Sequence, residues 1–495
     1  MKYLLGYDIG SSSIKAALLE ADSGAVSGQA FSPSTEMQII STRSGFAEQD
    51  PETWWLELVH ATNKLRQTNP FKSDEIIGIG ISYQMHGLVC IDKDYKSLRP
   101  AIIWCDSRAA EFGRKAFQDL GESYCLQHFL NSPGNFTASK LKWVKENEPK
   151  IYERIHKILL PGDFIALKLT GRAATTISGL SEGIFWDYTE HAIARSLLDY
   201  YGIGKELLAD IVPSFGEQGR LSKEAGSVLG LSSGIPISYR AGDQPNNAWS
   251  LNVLEPGEIA TTAGTSGVIY AVTDRPVHDP QSRVNAFVHV NHQENKPRYG
   301  VLLCINGTGI LNSWAQKHFF SGLSYPEMNA LAAKAPIGSD GLQFFPFGNG
   351  GERILLDKEI GGSLRGLEFN RHSEQHIARA AQEGIVFALN YGWEIMRDMG
   401  MILTTVRAGR ANMFLSDIFA SSFSNLTGCP LEFYNTDGSL GAARGAGLGA
   451  GYYANAGESF RGMHRLGRIE PNLHDQKILT EAYMRWKEKL KFIIQ

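Results

Sequence analysis

The sequence predicts an α/β chain of two large domains, a duplicated architecture closing over one nucleotide, and three observations predict it. Residues 6–15, Gly-Tyr-Asp-Ile-Gly-Ser-Ser-Ser-Ile-Lys, lie between apolar runs at 3–7 and 14–19 and read as two strands joined by a tight polar turn. Residues 257–272 repeat the design about half a chain later, with apolar strands flanking Ala263-Gly-Thr-Ser-Gly267. The 495 residues also exceed a single ordinary core.

In the first hairpin, Gly10 permits the backbone angles of a tight turn. Ser11, Ser12 and Ser13 add hydroxyls beside a row of backbone N–H groups, which suits phosphate oxygens, and Lys15 follows on the next strand. Gly264, Thr265 and Ser266 form the second such turn. Asp8 ends its strand facing the first turn. A carboxylate there repels a phosphate directly, so its expected role is to bind a hydrated Mg²⁺ that bridges to one. Either stretch alone reads equally well as a plain hairpin with small turn residues. Their pairing across the two halves favours the phosphate reading.

Composition narrows the partners. Hydrophobic residues make up 43% and charged residues 20%, as in a globular protein with a packed core. The net charge of −4 comes without any basic run, which argues against nucleic acid. No window reaches the roughly 18 uninterrupted apolar residues of a membrane span, and the first residues lead directly into a strand without a leader pattern. The five cysteines are scattered, outside any metal spacing, and read as free thiols of a cytoplasmic protein.

Along the chain, Asp50-Pro-Glu52 reads as a helix start, with Asp50 as cap and Pro51 in the first turn. The helix is expected to reach about Gln67 with Trp55, Leu58, Val59 and Leu65 on its buried side. Residues 76–82 are apolar on both alternating sets, as in a strand covered on both faces. They deliver Gln84 and His86 to the C-terminal strand end, where open α/β sheets bind ligands. Both side chains suit a polyol or sugar, although a lone His after a strand is more often structural. A further strand ends at Trp104-Cys-Asp-Ser-Arg108: Trp104 suits a sugar face, Asp106 its hydroxyls, and Arg108 the orientation of Asp106. A surface ion pair beside a core Trp explains the same residues. Segments 136–147 and 160–171 read as scaffold helices. Asp243 follows Gly242 where a strand ends, and Asn246 and Asn247 offer alternative helix caps that leave its carboxylate free.

With these residues in place the chain resembles the FGGY carbohydrate kinases, within the actin-like and Hsp70-like ATPase superfamily. The carriers are Asp8-Ile-Gly-Ser-Ser-Ser-Ile-Lys15, Glu48-Gln-Asp-Pro-Glu-Thr-Trp-Trp55, Gln84-Met-His-Gly87, Trp104-Cys-Asp-Ser-Arg108, Phe136-Thr-Ala-Ser-Lys140, Gly242-Asp243, Gly264-Thr-Ser-Gly267 and Gly351-Glu-Arg353. The resemblance implies two RNase H-like domains with a cleft between them: 1–245, binding sugar and carrying the first hairpin, and 246–495, binding nucleotide, with the final helix packing back on the first. It implies ATP and Mg²⁺ and phosphorylation of a terminal sugar hydroxyl; a homodimer is one assembly open to the chain. Asp243 takes the place of the general base, Asp8 that of the carboxylate near the metal, and Gln84, Met85, His86 and Gly87 those of substrate contacts. Gly409 and Asn412 fall in the adenosine loop. Gln84-Met-His-Gly87 resembles the branch that acts on ketopentoses, D-xylulose first, in xylose metabolism.

Two departures from the family pattern stand out. The adenosine loop Arg407-Ala-Gly-Arg-Ala-Asn412 keeps only Gly409 of the usual consecutive glycines, and Gln382 replaces an apolar residue in the second family signature. Ribulose, L-xylulose or erythritol as acceptor, and a sugar-binding regulator without turnover, are the alternatives these departures leave open.

Overall fold

The computed structural model describes residues 1–494. It divides into two compact units, one of residues 1–252 with 287–299 and 436–463, the other of residues 253–286, 300–435 and 464 onward.

The first unit is built on a six-stranded sheet in the order Phe215–Arg220, Pro236–Gly242, Ile76–Tyr83, Tyr3–Ile9, Ile14–Glu20, Val26–Ser32. The central three strands are parallel, while both flanking connections are antiparallel. The second unit's sheet repeats this order as Arg465–Ile469, Leu431–Tyr434, Thr405–Gly409, Glu258–Ala263, Gly267–Thr273, Tyr299–Ile305. Its central pairings have the same senses, parallel from Leu431–Tyr434 through Glu258–Ala263 and antiparallel into Gly267–Thr273. The duplication read from two hairpins therefore extends to whole sheets.

Both faces of the first sheet are covered, which is why its central strands are apolar on both alternating sets. One face packs on the helices Pro51–Thr68 and Pro161–Thr170. The other packs on Gly438–Gly449, a helix distant in sequence. Close approach explains its glycines and alanines: a Cβ on Gly6 would stand 2.0 Å from the Ser439 carbonyl oxygen, and one on Gly80 2.0 Å from that of Ala442.

Several expectations need correction. The division falls after Asn252 instead of at 245, and the helix that joins the first unit from far along the chain is Gly438–Gly449; the final helix Leu473–Ile494 belongs to the second. The Asp50 cap forms as expected, its Oδ1 accepting from Glu52 N at 3.0 Å. Trp54, however, is the buried tryptophan of that helix, and Trp55 is only half-buried. Trp54 Nε1 donates to Gln49 Oε1 at 3.0 Å, a polar anchor that sets the helix phase. Among the described residues no helix is long and apolar enough to cross a membrane.

Candidate active site

In the first unit, three strand ends bring the chemistry together. Asp8 pairs in register with Lys15 on one neighbour and Ser82 on the other. Ser82 Oγ donates to its Oδ1 at 2.8 Å. Its other oxygen lies so close to the start of Gly438–Gly449 that a Cβ on Gly438 would sit 2.5 Å away; a helix N-terminus is favourable for a carboxylate. Burial raises the Asp8 pKa and nearby Asp437 adds to that, while Lys15 and the Ser82 hydroxyl oppose it. The turn that follows is closed by Gly10 N donating to Ser13 O at 3.2 Å. Gly10 does not have a left-handed backbone. Room is tight there, since a Cβ would stand 3.0 Å from that same oxygen.

Asp243 opens the helix Asp243–Ser250 directly after the strand Pro236–Gly242. Its carboxyl is pushed up to about 7, mainly by burial and next by the Asp8 charge; backbone and side-chain donors of Gln244 oppose the shift. Asn246 and Asn247 lie inside the helix, so neither is its cap. Asn246 Nδ2 donates instead to Gly438 O at 2.9 Å, tying the two helix starts together.

The strand Ile76–Tyr83 delivers Gln84, Met85 and His86 beside Asp243. Gln84 is 2% exposed, its Nε2 donates to Gln49 Oε1 at 3.3 Å, and its Oε1 is buried without a hydrogen-bond partner. That orphan acceptor is what a ligand hydroxyl would satisfy. Met85 packs on Gly242. His86 adopts a left-handed backbone (φ 60°), and its Nδ1 donates to the Glu182 carbonyl oxygen at 2.9 Å. Trp104 is half exposed, and its Nε1 donates to Ser11 Oγ at 3.3 Å, so the aromatic face is joined to the serine turn.

Two residues expected to touch substrate also make contacts within the scaffold. Asp106 is fully buried and saturated, accepting from Ala47 N at 2.6 Å and from Arg108 N and Nε at 2.9–3.0 Å. Arg108 does orient it, but away from solvent. Gly87 packs against the Pro161 ring, where a Cβ would stand 2.6 Å from Cγ.

Two buried charges were missed in the sequence. Lys140, within a segment read as scaffold, is fully buried and donates to His86 O at 2.8 Å and Ile103 O at 2.9 Å, fixing the loops that carry His86 and Trp104. Burial lowers its pKa to about 8, against the pull of Asp106. A lysine inside the apolar stripe of helix Thr137–Asn147 was the available signal. Glu182 accepts from His86 N at 3.3 Å and crowds Gly242, where a Cβ would meet its Oε2 at 2.5 Å. Burial pushes its carboxyl well above the usual range, with Asp243 and Asp163 adding to it.

In the second unit the hairpin turn is anchored from below. Gly309 N donates to Gly264 O at 2.8 Å and Ile310 N to Thr265 O at 3.1 Å; a Cβ on Gly309 would stand 2.3 Å from Gly264 O. Glu352 secures the preceding turn, its Oε1 accepting from Asn306 N at 2.9 Å and Gly307 N at 3.3 Å. Burial lifts this carboxyl to about 7 against those two donors. Above the turn opens a cavity of about 810 Å³ whose lining includes Gly264, Thr265 and Asn412; Ser266 and Gly409 stand outside it. Asn412 has a left-handed backbone (φ 52°) and its amide reaches the Gly264 side of the rim.

Among the described residues no group of three His, Cys, Asp or Glu side chains is placed to hold a metal ion. Mg²⁺ keeps several waters and needs only one or two carboxylates plus phosphates. Asp8, with Asp437 and Asp243 around it, is a donor set that fits such a hydrated cation.

Residues 3–248 match the N-terminal domain and 259–450 the C-terminal domain of the FGGY family of carbohydrate kinases. Xylulose kinase of Bacillus subtilis is 28% identical over 469 residues, covering 92% of this chain and 90% of its own. A ligand-bound xylulose kinase from Lactobacillus acidophilus superposes with a TM-score of 0.90 at 23% identity, covering 100% of this chain and 98% of its own. A gluconate kinase from the same organism superposes with 0.88 at 23% identity, over 100% and 98%. Fold similarity at this level does not choose the sugar.

Proposed function

The chain belongs to the FGGY family of carbohydrate kinases and is a phosphotransferase, and from that premise we propose that it transfers the γ-phosphoryl group of ATP to a ketopentose, D-xylulose to D-xylulose 5-phosphate. The observation that carries the mechanism is Asp243, part-buried at a strand end with a carboxyl poised near 7. A base tuned to the working pH takes a hydroxyl proton efficiently. Asp243 removes the proton of the sugar's primary hydroxyl as that oxygen attacks phosphorus, and the proton stays on its carboxyl. Gln84 Oε1 accepts from a sugar hydroxyl, and Trp104 offers its open face to the carbon skeleton. The first turn, Ser11 to Ser13 with Lys15, and the second, Gly264 to Ser266, donate to phosphate oxygens. Mg²⁺, held with the phosphates by Asp8, would neutralise charge on the transferring group. Phosphoryl transfer depends mostly on positioning and charge neutralisation, which these residues supply.

The ketopentose assignment rests on Gln84-Met85-His86 and on relatives named xylulose kinase. ADP release measured with D-xylulose, D-ribulose, L-xylulose, erythritol, gluconate and glycerol tests it. D-xylulose should give a kcat/KM at least tenfold above the others. A higher value with another sugar reassigns the acceptor, and sugar binding without any phosphorylated product removes the kinase reading.

A further inference from the structure

The polar residue at 382, out of place in an apolar signature position, has a partner on each side. Gln382 is fully buried in the helix Glu374–Asp398. Its Oε1 accepts from Ser416 Oγ at 2.6 Å, and its Nε2 donates to Asn329 Oδ1 at 2.9 Å. Ser416 is held in turn as the cap of the helix Asp417–Thr427, its Oγ accepting from Phe419 N. Both ends of this chain, Ser416 and Asn329, line the cavity above the Gly264–Thr265 turn. Away from that turn the wall is largely apolar, with Tyr325, Pro326, Ala330, Met413, Leu415 and Ile418. This is the character of a site for a flat heterocycle with few polar groups to orient it. Asn312, also on the lining, buries a carboxamide oxygen without a hydrogen-bond partner, so the cavity holds an acceptor that a ligand N–H or O–H would satisfy.

We propose that Asn329 reads the nucleobase of the phosphoryl donor and that Gln382 and Ser416 are positioning residues fixing which end of its amide does so. The inference deepens the ATP-dependent reading above and rests on it. An Asn amide presents an acceptor at one end and donors at the other. With Oδ1 engaged by Gln382, Asn329 turns its NH₂ to the cavity and recognises a ring nitrogen that accepts a hydrogen bond. An apolar side chain at 382 leaves the amide free to present its oxygen instead, which repels such a nitrogen and leaves Asn329 without its partner. Gln382 touches no ligand itself; its effect is on affinity for nucleotide, not on the chemical step.

The test is ATP binding by calorimetry on the full chain together with steady-state kinetics. Gln382→Met keeps the volume and removes both hydrogen bonds. It should raise the Kd and the KM for ATP about tenfold, leaving kcat at saturating ATP and the KM for sugar within twofold. Of 1-deaza-, 3-deaza- and 7-deaza-ATP, one should bind the native protein about tenfold more weakly than ATP. Asn329→Ala, at a partly exposed position and so safe for folding, should weaken ATP and lose that discrimination. Unchanged ATP affinity in Gln382→Met, equal losses for ATP and sugar, or three deaza analogues bound as well as ATP overturns the proposal. Because calorimetry does not require turnover, a native protein that binds ATP with this pattern but phosphorylates no sugar upholds the relay while removing the kinase reading.

Discussion

At the end of the strand Tyr3–Ile9 the chain places Asp8 two residues before its turn glycine; at the matching end of Glu258–Ala263 it places Thr262 two residues before Gly264. Around the first turn the neighbours are acidic: Asp243 and Asp437 both add negative charge. The second turn is tied down by backbone N–H groups of the helix Gly309–His318, and the buried carboxylate of Glu352 is used on backbone donors of the turn 306–307 that precedes that helix. One hairpin plan thus serves two purposes. The first gathers carboxylates, which the proposed proton removal and cation would use; the second is held in place by neutral backbone groups. The difference teaches that one hairpin plan can carry different surroundings: in the proposed mechanism both turns hold phosphate oxygens, and the residue two places before each turn sets the charge beside it.

The largest test removes the charge unique to the first unit. Asp243→Asn should lower kcat by about 10² to 10⁴, the usual contribution of a general base, while sugar affinity by calorimetry stays within a few-fold. The native kcat/KM for sugar should climb with pH through about 7, because only the ionised carboxylate accepts a proton. The variant should lack that limb. Turnover within tenfold of native would assign the base elsewhere, with Glu182 the nearest candidate.

That comparison was half legible in the sequence. Both hairpins showed because a Gly-Ser/Thr turn between apolar strands is a local pattern, and Asp243 showed because a strand end followed by a polar residue is local too. What escaped depended on distant partners. Trp54 and Trp55 are adjacent and both apolar; Trp54 is the one in line with buried Leu58, Ala61 and Leu65, and its Nε1 finds Gln49. Asp106 carries no mark of the Ala47 N–H that fills it from 59 positions away. The small residues of Gly438–Gly449 announced close packing without saying against which sheet. Gln382 was visible as an anomaly, but its two hydrogen-bonding neighbours lie 53 and 34 positions away.

A middle-sized effect is expected at Lys140, whose two carbonyl partners lie in the first unit. Lys140→Met removes the ammonium that donates to the carbonyls of His86 and Ile103, a loss of about 1–3 kcal/mol. Urea denaturation should show that loss, with a raised KM for sugar and a nearly unchanged KM for ATP. The folded pKa of about 8 lies below the ordinary lysine value, so the folded state favours the neutral amine. Its contribution is fully present above the unfolded pKa and is lost as pH falls through about 8. The gap between native and variant should therefore widen as pH rises from 8 towards 10. Equal losses in the two KM values would mean a general weakening of the chain instead of a local one.

The smallest effect belongs to Glu352, which answers whether the second unit's buried carboxylate matters as a charge or as an acceptor. Its folded pKa of about 7 lies above the ordinary glutamate value. The stability it contributes is fully present below the unfolded pKa and is lost as pH rises through about 7, because the folded state must then bury a charge that Asn306 N and Gly307 N only partly satisfy. Glu352→Gln keeps a carbonyl oxygen for those donors and cannot ionise. At pH 5 the variant should match the native protein within about 1 kcal/mol, the scale of one hydrogen bond, and at pH 8 it should be the more stable of the two. Turnover with saturating ATP should stay within about twofold, in contrast to Asp243→Asn. A hundredfold loss of kcat in Glu352→Gln would place charge chemistry in both hairpins and end the division of labour between them.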